Sequence, residues 1–149
     1  MLGNCAAKRL ELRVQRLDLL ERFCMAVSAE LRYLLPPVGT LLRTLAGREC
    51  FAELSFLQDA AEHTEAFPNG WRKAVAADRH LREEERAVLQ TVGDTLGQMD
   101  AEGQLAALGL CAERLREMRE TAARQMQGRG QMYRSMGILG GIFLVILLI

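Results

Sequence analysis

The sequence predicts an all-α fold, an antiparallel helical bundle that ends in a C-terminal transmembrane helix. Three observations lead there. Apolar residues recur at helical spacing, and no segment alternates with the period of two that marks a strand. Aromatic residues make up only 5% of the chain while Ala and Leu abound, a composition that favours helix packing over sheet packing. The stretch from Met136 to Ile149 carries no polar or charged side chain. The 149 residues suffice for one domain with a modest core.

Residues 8–34 read as one long helix. Leu10, Leu17, Cys24 and Leu31 recur every seven residues, and Leu20, Val27 and Leu34 fill the three-residue offset. Pro36 should stop this helix, because proline lacks the backbone donor and restricts the residue before it. Pro37 can open the next helix as its first residue. Val38, Leu41, Leu42 and Leu45 would then pack back on the first helix, and Gly47 would end the second. A third helix is predicted over Glu49–Ala66, with Phe51, Leu54, Phe56 and Leu57 as its apolar surface. Phe67-Pro68-Asn69-Gly70 signals a turn, and a short helix follows over Trp71–Ala77. Asp78 is the expected N-cap of a helix running through Leu81, Val88, Leu89 and Val92 to Leu96, which Gly97 terminates. Asp100 can cap the last bundle helix, with Leu105, Leu108, Ala112, Leu115, Met118 and Ala122 buried. Gly128 and Gly130 are the one soft spot before the tail.

The tail is apolar on all faces, whereas a helix packed on a bundle needs only one apolar stripe. Met136–Ile149 as helix spans about 21 Å, and extension upstream through Met132 and Tyr133 adds about 6 Å toward the roughly 30 Å of a bilayer core. Residues 132–149 are therefore the predicted transmembrane helix and 8–128 the cytosolic domain. Arg124, Arg129 and Arg134 flank the tail, with no acid after Glu120, so that side should face the cytosol. Gly137, Gly140 and Gly141 form a G-x-x-x-G face with one extra glycine, a spacing that lets two membrane helices approach closely.

Formal net charge is zero, so no global field points to nucleic acid. Lysines and arginines are not interleaved with aromatics, which argues against single-strand binding. No phosphate-binding loop is present. Cys5, Cys24, Cys50 and Cys111 are too scattered for a zinc site or a disulfide framework and read as small buried hydrophobes. Glu62, His63 and Glu65 are neighbours in sequence but diverge on a helix, so a solvated face is the better reading than a metal site. His80 receives no role. The run from Arg82 through Glu83, Glu84 and Glu85 to Arg86 reads as a solvated face, with a docking patch for a basic partner as the alternative. No spacing provides an inward cluster of titratable groups, and neither a catalytic residue nor a cofactor is expected.

Three stretches stand out: Gly93-Asp-Thr-Leu-Gly97-Gln-Met-Asp100 followed by Gln104; Met132-Tyr133-Arg134-Ser-Met-Gly137-Ile-Leu-Gly140-Gly141 followed by the aliphatic end; and Glu30-Leu-Arg-Tyr33 with Pro36 and Pro37. Together they resemble the stage III sporulation protein AB family of endospore-forming bacteria. Trp71 stands at a similar relative position. The resemblance implies a non-enzymatic subunit similar to the inner-membrane platform proteins of type II secretion, with a helical cytosolic domain. It implies a place in the channel between mother cell and forespore during engulfment, in the mother-cell membrane. Its implied partners are a secretion-type ATPase, stage III sporulation protein AA, other membrane subunits of the apparatus, and lipid. Members of the family begin with a transmembrane helix. Residues 1–7, with Gly3 and Ala7 spaced as G-x-x-x-A, look like the last turns of such a helix, and Met1 is expected to be an internal or misassigned start.

The segment Leu96, Gly97, Asp100 and Gln104 is either a helix-capping device or a docking site. A tail-anchored adaptor is the alternative function; there the Leu10–Leu34 seam would pair between chains. The prolines argue against such a rod.

Overall fold

The computed structural model describes the backbone of residues 2–148 and the side chains of residues 5–127 and 140–148. Within that range the chain forms six α-helices and two short 3-10 helices, with no strand among the described residues. The α-helices are α1 (Leu2–Tyr33), α2 (Val38–Ala46), α3 (Ser55–Glu62), α4 (Asn69–Ala77), α5 (Glu83–Thr95) and α6 (Ala101–Leu148). The 3-10 helices, Glu49–Phe51 and Thr64–Ala66, lie on either side of α3.

Helix α1 begins six residues before the predicted Lys8 and ends where the prolines require. Its seam is consumed inside the chain: Leu17, Leu20, Cys24, Val27 and Leu31 are buried. That seam is therefore not free to pair between chains. Phe23, outside the heptad seam, is buried too. The buried stripe is thus the wide one of a globular bundle rather than the narrow one of a coiled coil. Leu34 lies beyond the helix and is 73% exposed, against expectation.

Pro37 is the N-cap of α2 rather than its first helical residue, with φ −56° and ψ 147°. Its carbonyl accepts the first helical bond, from Leu41 N at 3.0 Å. Leu41, Leu42 and Leu45 are buried, and Gly47 closes the helix.

The single helix predicted over 49–66 is broken in two places. Leu54 is extended (φ −81°, ψ 91°) before α3, and His63 (φ −120°, ψ 43°) separates α3 from the second 3-10 turn. The reason lies in the apolar positions. On one continuous helix Phe51, Leu54, Phe56 and Leu57 would spread well beyond an apolar stripe of about 100°. The break lets all four become buried. Asn69 and Gly70, predicted as turn, are the first residues of α4.

Asp78 closes α4 instead of opening α5, its carboxylate accepting from His80 N at 2.9 Å. The next helix starts at Glu83. There Glu85 reaches back to accept from Arg82 N at 3.0 Å, half of a capping box. Three acids in that first turn also suit the positive end of the helix dipole.

Phe23 is the hub of the aromatic core. It meets Phe51 and Phe56 edge to face, with centroids 5.8 and 6.0 Å away, and stacks on Trp71 at 6.1 Å. Phe56 meets Trp71 edge-on at 5.5 Å. Such pairs contribute about 1 kcal/mol each beyond simple burial.

Helices α1 and α6 form the most extensive pair in the bundle. Arg119 of α6 reaches Asp18 and Glu21, and Arg13 shares a cavity wall with Thr121, Ala122 and Gln125. Earlier residues of α1 thus face later residues of α6, so the two run antiparallel. The buried face of α6 is Leu108, Cys111, Leu115, Met118 and Ala122, with Leu105 and Ala112 half-buried.

The predicted transmembrane helix of residues 132–149 is not supplied by the described residues. Among them no helix is long and apolar enough to cross a membrane. The described part of the apolar run, Gly140–Leu148, amounts to only about 13 Å of helix. Gly128 and Gly130 fall within the bounds of α6 and lie, with Met132, Tyr133 and Gly3, outside the residues whose side chains are described.

Candidate functional site

The segment singled out in the sequence forms the turn between α5 and α6. Leu96 is the C-cap of α5 and fully buried. Gly97 follows with φ +77°, the left-handed conformation that costs a side chain most and glycine least. Asp100 then caps α6: its Oδ1 accepts from Gly103 N at 2.9 Å, and its carbonyl accepts from Gln104 N at 2.9 Å. The Gln104 side chain turns back to donate to the Met99 carbonyl at 2.6 Å. Asp100 and Gln104 thus spend their polar groups on their own backbone.

This turn has a neighbour. A Cβ built on Gly97 would lie 3.4 Å from Val38 Cγ2, in ordinary contact. Val38 opens α2 directly after the prolines, so the α1–α2 and α5–α6 turns share one end of the bundle. That end is apolar on its surface. Tyr33, Leu34 and Leu35 are 80%, 73% and 62% exposed, and Met99 is 52% exposed. Leu35 also holds a positive φ of 43°, a strained conformation for a branched apolar residue.

At the opposite end, Ile142 through Leu148 are exposed on every face of α6. Cβ atoms added at Gly140 and Gly141 would meet nothing within 4 Å, so this glycine edge is unpartnered among the described residues. Gly137 lies outside them. Arg124 is exposed and pairs loosely with Glu120 at 3.7 Å; Arg129 and Arg134 lie outside the described side chains.

The run from Arg82 to Arg86 is a solvated face only in part: Arg82, Glu83 and Glu84 are exposed, whereas Glu85 is buried and Arg86 half-buried. Glu85 is 1% exposed, with Arg13 Nε 3.8 Å from its Oε1. Arg86 donates to the Asp78 carbonyl at 2.8 Å. Arg13, Arg82, Glu83, Glu84, Arg114 and Glu117 ring an open cavity of about 560 Å³ between α1, α5 and α6, balanced in charge.

A family model described as Stage III sporulation protein AB matches residues 1–149. The chain belongs to the stage III sporulation protein AB family. Membership gives it a role in stage III of sporulation. No curated protein and no solved structure matches the chain. Two of the three stretches that carry the family resemblance, 30–37 and 93–104, meet at the apolar end of the bundle, although some sixty residues separate them.

Other candidates resolve locally. Asp59, Glu62 and His63 bring ligand atoms within 4.8 Å of one another at the end of α3, but all three are exposed, and an ion there would compete with water for each ligand. His63 Nδ1 lies 3.0 Å from the Asp59 carbonyl. His80 contributes its backbone carbonyl, which accepts from Arg16 at 2.8 Å. Cys24 and Cys111 are buried as expected, whereas Cys5 and Cys50 are exposed. Burial first, then the nearby Cys111 and Glu21, pushes the Cys24 thiol up to about 12. The sequence reading missed the exposed Tyr33–Leu35 cluster. Its signal was present: three consecutive large apolar residues just before a double proline, where no helical face can absorb them.

Proposed function

We propose that this chain is a non-enzymatic platform subunit of the sporulation apparatus, held in the mother-cell membrane facing the forespore, that docks the secretion-type ATPase stage III sporulation protein AA. In this reading residues 8–128 are the cytosolic domain and 132–149 the membrane helix. The observation that carries it is the end of α6, where Ile142–Leu148 are apolar and exposed all round. A surface of that kind is stable in lipid and not in water. Three arginines precede the apolar run, as expected of a cytosolic flank. The exposed Gly140 and Gly141 edge suits close approach of another membrane helix from the same apparatus.

The mechanism is mechanical. Helix α6 belongs both to the bundle core and to the apolar end, so a load on the bundle reaches the membrane through one element. Carbonate extraction of membranes from sporulating cells tests the anchor. The full chain should stay in the pellet, and a variant with Ile142, Leu144 and Ile146 changed to Glu should be released. Release of the unaltered chain would refute the anchor. Co-purification of the ATPase with the detergent-solubilised full chain tests the docking.

A further inference from the structure

We infer that the exposed tip made by the α1–α2 and α5–α6 turns is the surface on which a soluble partner docks, and that this partner offers an apolar pocket with acidic groups at its rim. The inference rests on the platform reading and names the face that serves it. Tyr33, Leu34, Leu35 and Met99 are all more than half exposed, a grouping of large apolar side chains at one end of a bundle that buries most of its leucines, and such groupings mark interaction sites. Arg32 stands in the same last turn of α1, exposed, and pairs with no acid among the described residues; the nearby Glu30 is taken by Arg48. An unpaired cation beside an apolar patch calls for acidic groups opposite.

A second copy of the chain does not fit this surface. Because α1 and α6 are antiparallel, the tip is the end of the bundle remote from the apolar end of α6. Tip-to-tip pairing would aim two membrane ends in opposite directions, and both could not enter one bilayer. The occupant therefore comes from solution, on the side away from the membrane.

The test uses the full chain in lipid nanodiscs and purified stage III sporulation protein AA from the same organism, with affinity read by biolayer interferometry. Leu34→Glu should weaken binding by about tenfold or more, as expected at the centre of an interface. Arg32→Glu should weaken it about threefold and flatten its salt dependence. Leu110→Glu, at an equally exposed leucine on the side of α6, should bind as the unaltered chain does. All three positions are exposed, and unchanged thermal melts by circular dichroism confirm the fold. Unaltered binding by both tip variants would overturn the surface and leave the platform reading intact. No binding by the unaltered chain would overturn both. A tip variant that changes self-association but not ATPase binding would assign the patch to a second copy and overturn the inference.

Discussion

Gly93 is the space into which Trp71 fits. A Cβ at position 93 would stand 2.6 Å from the indole Nε1, closer than real atoms approach. The same indole donates to the Leu89 carbonyl at 2.7 Å, one turn earlier on α5. Contact and hydrogen bond together fix how α4 sits against α5.

Gly93→Ala should therefore destabilise the fold by about 3 kcal/mol, at the upper end of overpacking effects. Trp71→Ala should cost about 3–5 kcal/mol. Because both act on one contact, the double variant should cost less than the sum of the two. Trp71 is the only tryptophan and two of these variants lack it, so urea unfolding followed by far-ultraviolet circular dichroism reads all three. Additive costs would mean that the two residues do not share the contact.

The α5–α6 turn makes a second prediction. Asp100→Ala should lower stability by about 1 kcal/mol through loss of the cap. Asp100→Asn should recover most of that loss, since its carbonyl can still accept from Gly103 N. Gly97→Ala should cost about 1 kcal/mol from its positive φ alone, since Val38 leaves room for a methyl group. Thermal melts of the three variants check the order.

Arg119 supports a third. Its Nη1 donates to Asp18 Oδ1 at 2.7 Å and lies 2.6 Å from Glu21 Oε2, the second contact being an ion pair without hydrogen-bond geometry. Arg119→Met keeps the aliphatic stem but leaves the half-buried Glu21 carboxylate without its cation. A loss of about 2 kcal/mol is expected, below the value for a fully buried pair because Arg119 is still 28% exposed. Arg119→Met with Glu21→Gln should regain part of it.

The thiols give the pH dependence. Cys24 ionises at about 12 in the fold, above its unfolded value near 8.5. Its contribution is therefore fully present below the unfolded value and is lost as pH rises toward the folded one. In alkali the unfolded chain sheds the proton first, and stability should fall by about 1.4 kcal/mol per pH unit for this thiol. Cys24→Ala should show a shallower alkaline slope. At pH 8 a maleimide should label Cys5 and Cys50 quickly, and reach Cys24 and Cys111 only after unfolding.

Much of this architecture is legible in the chain because local rules and packing agree. The seam of α1, its stop before the prolines, and the Gly97–Asp100 turn all follow from spacing and capping chemistry. The reading fails where tertiary burial overrides a local signal. Asp78 is a good cap residue, yet Leu81 is buried ahead of α5, and the helix can begin only after it. Glu85 belongs to a charged run, yet it folds inward as cap and partner of Arg13. Residues 49–66 break because four apolar side chains need the core at once. The tip was hidden for another reason: three large apolar residues before Pro36 signal the exposed cluster, but its sharing one end of the bundle with Met99 depends on two turns meeting, which neither turn alone reveals.

The contact between Asp18 and Arg119 joins residues 101 positions apart. Its consequence lies in the order of assembly. A chain emerging from the ribosome makes α1 first, and the helix that covers much of its apolar seam comes last. Until α6 is synthesised, that side of Leu17, Leu20 and Cys24 has no final partner. Closing so long a loop is entropically costly and slows the last step of folding. The interval before closure is when the nascent chain is most open to aggregation or to capture by a chaperone.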